Sequence, residues 1–158
     1  MLIAASKEHL QGMMSWFTDH PGVTAWGGPA FRFPYTEQSF YDDSKAGSLP
    51  SYVLVDEAGA LLAFGQYYER LRRCHLSRLA VNPQVRGQGL GTQLIASLVR
   101  IGAPHLGAAE CSLFVSTHNP QARRLYHRLG FVELPYPEPH SGVPDSYYMI
   151  APIERIAP

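Results

Sequence analysis

Cysteine is scarce in this chain: Cys74 and Cys111 are the two in 158 residues, and no C-x-x-C or H-E-x-x-H spacing occurs. A zinc site and a dithiol redox centre are therefore disfavoured, and both cysteines, each opening an expected strand, read as small buried hydrophobes. The seven histidines are scattered without ligand spacing, so no metal is expected. Charge of one sign is also lacking: 13 basic and 13 acidic residues give a formal net charge of zero. Nucleic acid and anionic membranes thus find no electrostatic footprint and are not expected partners. No apolar run approaches the roughly 20 residues of a membrane span. No basic segment followed by an apolar one opens the sequence, so a cytoplasmic protein is the expectation. The length suits one domain over residues 1–158, large enough to bury a core without metal or disulfide.

Glycine, by contrast, is concentrated where it matters. Leu79 to Thr92 reads L-A-V-N-P-Q-V-R-G-Q-G-L-G-T: a strand-like apolar run, a stop at Asn82-Pro83, an arginine, three alternating glycines, then an apolar segment of helical period. Glycines leave backbone N–H groups unobstructed, and the helix beginning there adds its positive dipole end, so main chain can hold an anion. Arg86 adds a fixed positive charge. A nucleotide-hydrolysing P-loop is disfavoured because no lysine follows these glycines. The dinucleotide pattern G-x-G-x-x-G is also missed: the spacing is G-x-G-x-G, and Asn82 to Arg86 separate it from the strand.

The run R-G-Q-G-L-G after L-A-V-N-P resembles the acetyl-CoA pyrophosphate loop, R/Q-x-x-G-x-G/A, of the GNAT (Gcn5-related) N-acetyltransferase superfamily. Downstream, Asn119-Pro120-Gln121-Ala122-Arg123-Arg124-Leu125-Tyr126 and then Leu129-Gly130-Phe131 are similar to that family's second motif, N-x-x-A-x-x-x-Y-x-x-x-G-F. The resemblance implies a single α/β (mixed α+β) domain: a central, mixed, mostly antiparallel sheet of about seven strands with helices on both faces. It implies acetyl-CoA as co-substrate and no metal. The pyrophosphate would lie on Arg86, Gly87, Gln88, Gly89, Leu90, Gly91 and Thr92. The pantetheine would run between the strand ending at Val81 and the strand Glu110 to Ser116, pairing with backbone of Leu79, Ala80 and Val81 and passing Asn119, Ala122 and Tyr126.

Along the chain, Leu2 to Ala5 reads as a strand, and Ser6 caps a helix whose Leu10, Met13, Met14 and Phe17 share a face. His20-Pro21-Gly22 is expected to end it. Val23 to Tyr35 reads as an aromatic loop, followed by a helix from Thr36 to about Lys45. In the family this connection walls the acceptor site, which makes Trp26, Phe31, Phe33 and Tyr35 candidate substrate contacts; the alternative is that they pin the loop to the core. Ser51 to Asp56 and Ala60 to Arg70 form a hairpin, and Cys74 to Val81 a third strand. Tyr67 and Tyr68 lie on opposite strand faces, so one of them can face a cleft, and Tyr67 is the candidate. Leu90, Leu94, Ile95, Leu98 and Ile101 mark a helix expected to end near Gly102-Ala103-Pro104. A strand from Glu110 to Ser116 follows, parallel to the one before the loop. Asn119-Pro120 starts a helix and Leu129-Gly130-Phe131 closes it. Phe131 to Leu134 and Ser146 to Ile150 are the last strands, joined by a proline-rich loop near the acceptor.

Amine acetylation needs a neutral amine, a donor for the developing oxyanion and a proton for the departing thiolate. A backbone N–H of Leu79 or Ala80 suits the second task and the Tyr126 phenol the third. For the base, family members with a glutamate on the fourth strand carry it where this chain has His75. Glu69 is the second candidate, and a water chain the third. The expected function is acetyl-CoA-dependent N-acetylation of a primary amine, either a small molecule or a peptide N-terminus, by direct attack in a ternary complex. The protein would act as a monomer or homodimer. The rival is a catalytically silent acyl-CoA-binding regulatory module.

Overall fold

The computed structural model describes residues 1–137 and 143–158. The strands are β1 (Leu2–Ala4), β2 (Ser51–Val55), β3 (Leu61–Arg70), β4 (Arg73–Val81), β5 (Glu110–Ser116), β6 (Val132–Leu134) and β7 (Ser146–Pro152). They form a seven-stranded sheet in the order β1-β2-β3-β4-β5-β7-β6. Pairing is antiparallel for β1 with β2, β2 with β3, β5 with β7 and β6 with β7, and parallel for β4 with β5. The mixed, mostly antiparallel sheet expected from the sequence is present. The helices are α1 (Lys7–Met13), α2 (His20–Gly27), α3 (Glu37–Asp43), α4 (Leu90–Leu106), α5 (Pro120–Leu129) and α6 (Ile153–Ile156).

The chain divides into two compact units, Met1–Tyr67 with Arg78–Leu94, and Tyr68–Ser77 with Ile95–Pro158. In the first, Leu10, Met13, Val23, Phe31 and Phe40 from the helical segments bury against Val53 and Val55 of β2 and Phe64 of β3. The alternation along β2 and β3 puts these residues on one sheet face, and burying a side chain of this size contributes roughly 1.5–3 kcal/mol. In the second unit, Cys74 and Leu76 of β4, Cys111, Leu113 and Val115 of β5, and Met149 and Ala151 of β7 are buried. Burial pushes both thiols up to about 12, as suits cysteines used as apolar packing.

Local signals explain most helix ends. Ser6 and His9 form a reciprocal cap at α1, and Thr36 with Ser39 does the same at α3. Two expectations are corrected. His20-Pro21-Gly22 does not stop a helix but starts one: Asp19 accepts from Gly22 N–H at 2.7 Å, and a proline in a first turn is a start signal when a cap precedes it. The stretch to Gly27 is therefore helix, not loop. Pro104 likewise does not end α4, which runs to Leu106 and stops at Gly107 with φ 65°. A proline so close to the end removes one of the last bonds only. Of the proline-rich connection before β7, residues 138–142 lie outside the described residues, and with them the loop's expected place near the acceptor.

Candidate functional site

In the first unit, the turn after β4 is pinned to β3. Asn82 N–H donates to Leu62 carbonyl at 2.8 Å, its side-chain amide donates to Leu61 carbonyl at 3.0 Å, and its side-chain oxygen accepts from Gln84 N–H. A short 3-10 turn, Pro83–Val85, leads to exposed Arg86. Gly87 and Gly89 then take φ 83° and 74°, and no atom lies within 4 Å of where a Cβ would stand on either. Among the described residues no backbone N–H from Gly87 to Thr92 donates to a group of the chain; the first to do so is Gln93, to Gly89 carbonyl at 3.1 Å. Behind these amides stand the 17 residues of α4, aligned with their positive end at the loop. This arrangement fits a pyrophosphate: donors without partners, a positive dipole end, a free arginine-bearing lip and open space beside both glycines.

Just upstream, Arg78 breaks the regular strand with φ 49°, a left-handed conformation rare for a side-chain-bearing residue. Its carbonyl accepts from Trp26 indole N–H at 2.8 Å, and its guanidinium donates to Gly27 carbonyl and the Gln66 side-chain oxygen, each at 3.2 Å. Gln66 in turn donates to Ser44 carbonyl at 2.7 Å. This network fixes β4 where Leu79, Ala80 and Val81 follow. Arg78 is not legible in the sequence, because nothing local marks an arginine for left-handed backbone.

The aromatic segment is built into this unit. Phe31 is 3% exposed, and Tyr35 donates its hydroxyl to the carbonyls of Met14 and Phe17 at 2.6 and 3.0 Å. Trp26 stacks on Phe40, and Phe31 meets it edge-on. Pinning to the core is thus the role seen for Trp26, Phe31 and Tyr35, while Phe33 is 39% exposed. Tyr67 is buried and stacked on Tyr52, whereas Tyr68 is half-buried beside Arg70 and His75.

In the second unit, Asn119 caps α5, accepting from Ala122 N–H at 3.1 Å. Gly130, at φ 113°, and Phe131 return N–H bonds to His127 and Tyr126, closing the helix as expected. Tyr126 packs edge-on against Phe131. Burial pushes its phenol up to about 12, so it stays protonated, and among the described residues its hydroxyl has no hydrogen-bond partner. His75 is 2% exposed, and its Nδ1 lies 2.8 Å from Ser112 Oγ. Its ring packs near Tyr68, Phe114 and Tyr148. Burial, and secondarily the Arg70 charge, takes its pKa down to about 3. The ring is thus neutral at all ordinary pH but is a very weak base, which counts against the base role that the resemblance suggests for it. Glu69 is exposed, on the strand face opposite Tyr68 and Arg70.

The sequence profile of the acetyltransferase (GNAT) family matches residues 11–131. The chain belongs to this family. Both motifs that carry the resemblance, Arg86 to Gly91 and Asn119 to Phe131, fall inside the matched stretch. Among curated relatives, a "Putative ribosomal protein bS18-alanine N-acetyltransferase" of Bacillus subtilis (strain 168) is 28% identical over 101 residues, 64% of this chain and 66% of that protein. A mycothiol acetyltransferase of Salinispora arenicola (strain CNS-205) is 33% identical over 120 residues, 73% of this chain. The GNAT chain thus spans just under two thirds of the first relative's length and 37% of the second's. In fold it is similar to the spermidine N-acetyltransferase of Vibrio cholerae in complex with CoA and spermine. That likeness has a TM-score of 0.73 at 18% identity, covering 99% of this chain and 96% of that one. Among the described residues no group of His, Cys, Asp or Glu could hold a metal, and no helix is long and apolar enough to cross a membrane.

Proposed function

We propose that this GNAT chain is an N-acetyltransferase that moves acetyl from acetyl-CoA to a primary amine by direct attack, working as a single domain over residues 1–158. The observation that carries the reading is the run of partnerless N–H groups from Gly87 to Thr92 at the start of α4, since such a run wants an anion and the family's co-substrate supplies a pyrophosphate. Arg86, Gln88, Gly89, Leu90 and Gly91 complete that cradle. The backbone of Leu79, Ala80 and Val81 pairs with the pantetheine arm, and a Leu79 or Ala80 N–H receives the oxyanion. The resemblance to the family's second motif assigns Asn119 and Ala122 to the arm as well.

In the chemical step the amine nitrogen bonds the thioester carbon and the C–S bond breaks; Tyr126 gives the thiolate its proton, solvent takes the proton leaving the amine, and solvent returns one to the Tyr126 phenolate. Tyr126 suits the role because its hydroxyl is protonated and uncommitted. Solvent is assigned the other transfer because His75, at about 3, cannot compete for an ammonium proton. The acceptor is a small amine or a peptide N-terminus; one relative is named for an alanine of a ribosomal protein and one structural neighbour for spermidine. Thiol release from acetyl-CoA against an amine panel tests the reading. Amine-dependent release with a matching acetylated product supports it; tight CoA binding with no amine ever consumed returns the protein to a regulatory module.

A further inference from the structure

In the first unit, one residue interrupts an otherwise extended strand, and the consequence falls on the amide that follows it. Arg78 has φ 49°. Along β4, Cys74, His75 and Leu76 are buried, and from Ser77 onward no side chain is. Left-handed backbone in a bulky residue persists only where the surroundings over-determine it. Here they do. The Arg78 guanidinium donates to Gly27 carbonyl and to the Gln66 side-chain oxygen, each at 3.2 Å. Gln66 is itself fully buried, and its amide nitrogen donates to Ser44 carbonyl at 2.7 Å and to Ser51 Oγ at 3.0 Å.

The Arg78 carbonyl is held separately. Trp26 donates its indole N–H to it at 2.8 Å, and the indole is fixed among rings: stacked on Phe17 at 4.7 Å and on Phe40 at 5.7 Å, and edge-to-face with Phe64 of β3. This carbonyl and the Leu79 N–H belong to one planar trans peptide, in which they point in opposite directions. Fixing the first therefore fixes the second, which points away from Trp26. Strand alternation gives the same answer. Asn82 N–H donates to Leu62 carbonyl of β3 at 2.8 Å, so two residues back Ala80 N–H also faces β3, while the N–H groups of Leu79 and Val81 face the other edge of β4. The parallel ladder on that edge consists of Cys74 with Cys111 and His75 with Ser112, and it stops before Arg78.

We propose that Trp26 and Arg78 are positioning residues for acyl transfer, which aim the Leu79 N–H, and not that of Ala80, at the thioester oxygen. The Ala80 amide is turned towards β3 and away from the edge where a ligand would lie. An indole N–H on the carbonyl of the same peptide polarises that peptide and makes its N–H a stronger donor, which is what an oxygen gaining negative charge requires. Trp26 thus acts through the strand, without touching the acceptor. The proposal rests on the acetyltransferase reading for the presence of a thioester; the aim of the amide is tested without any acceptor.

The experiment uses acetyl-CoA with an isotopically labelled thioester carbonyl, bound to the intact protein and observed by infrared difference spectroscopy. A hydrogen bond from an aimed N–H lowers the carbonyl stretching frequency below that of acetyl-CoA in water. Trp26→Phe keeps the ring and deletes the indole N–H; Arg78→Gly keeps access to left-handed backbone and deletes the anchors. Each should move the frequency back towards the value in water with little change in the acetyl-CoA Kd, and each should lower kcat about 10- to 100-fold with any amine that is accepted. Replacing Leu79 by its α-hydroxy acid, which deletes that N–H alone, should abolish the shift, and the same replacement at Ala80 should keep it. Circular dichroism checks folding, and Trp26→Phe decides if Arg78→Gly does not fold. A frequency unmoved in Trp26→Phe, or a shift lost on replacing Ala80 but not Leu79, overturns the proposal. Bound acetyl-CoA with no shift in the wild type overturns it too and leaves the acetyltransferase reading standing, whereas failure to bind acetyl-CoA at all overturns both.

Discussion

Lowering the pH should unfold this protein through His75 before its acids matter. The ring is 2% exposed and held neutral, with a folded-state pKa of about 3 against 6.5 when unfolded. A group whose folded pKa is depressed contributes stability in full above its unfolded value and loses it as pH falls towards the folded one, because only the unfolded chain takes up the proton. The window is therefore pH 6.5 down to 3. Each pH unit within it is worth about 1.36 kcal/mol, so stability at pH 5 should lie about 2 kcal/mol below that at pH 8. The carboxylates held low by Arg32 and Arg123, those of Asp43 and Glu133, lose their contribution only below about pH 4.3, the ordinary Glu value, which leaves the range from 6.5 to 5 to the histidine. Urea unfolding at pH 8, 6 and 5 measures the slope. His75→Asn, which keeps an amide near Ser112 Oγ, should flatten it even if the variant is less stable overall. A wild-type free energy unchanged between pH 8 and 5, or a slope that survives in His75→Asn, would refute the reasoning.

Gly89→Glu should abolish CoA binding, since the new carboxylate stands where phosphate would lie; the space beside Gly89 is open but its φ of 74° strains any side chain, so calorimetry with CoA is paired with circular dichroism and urea unfolding to show that the variant is folded. Tyr126→Phe keeps the ring against Phe131 and removes the proton donor, so kcat should fall about 10²- to 10⁴-fold with the CoA Kd little changed; a wild-type rate under chemistry-limited conditions would return the tyrosine to packing. Phe31→Ala should cost about 3–5 kcal/mol in denaturant unfolding and leave the acceptor KM unaltered, whereas a raised KM with little loss of stability would make the aromatic segment a substrate wall after all.

What could be read from the sequence was whatever local backbone chemistry decides. Alternating glycines before a helical period, an asparagine before a proline at Asn119, and a glycine between apolar residues at Gly130 each dictate a conformation within a few residues, and those stretches fold as expected. The errors at Pro21 and Pro104 belong to the same level: a proline's meaning depends on its place in the turn, and Asp19 as a cap was the clue left unused. The environment of His75 is another matter. Its character is set by Ser112 and Phe114 of β5 and Tyr148 of β7, strands whose register against β4 no local pattern encodes, so the same histidine reads as a base in sequence and as a buried neutral ring in space. Tyr67 and Tyr68 differ in the same way. Period two separates their faces, but only the stack on Tyr52 on one side and the hydrogen bond from Arg70 on the other say which tyrosine is buried and which is joined to a charged group. Main-chain chemistry, such as the open amides of the glycine loop, is thus legible early, whereas the environment of a side chain set by distant strands becomes legible only once the sheet is assembled.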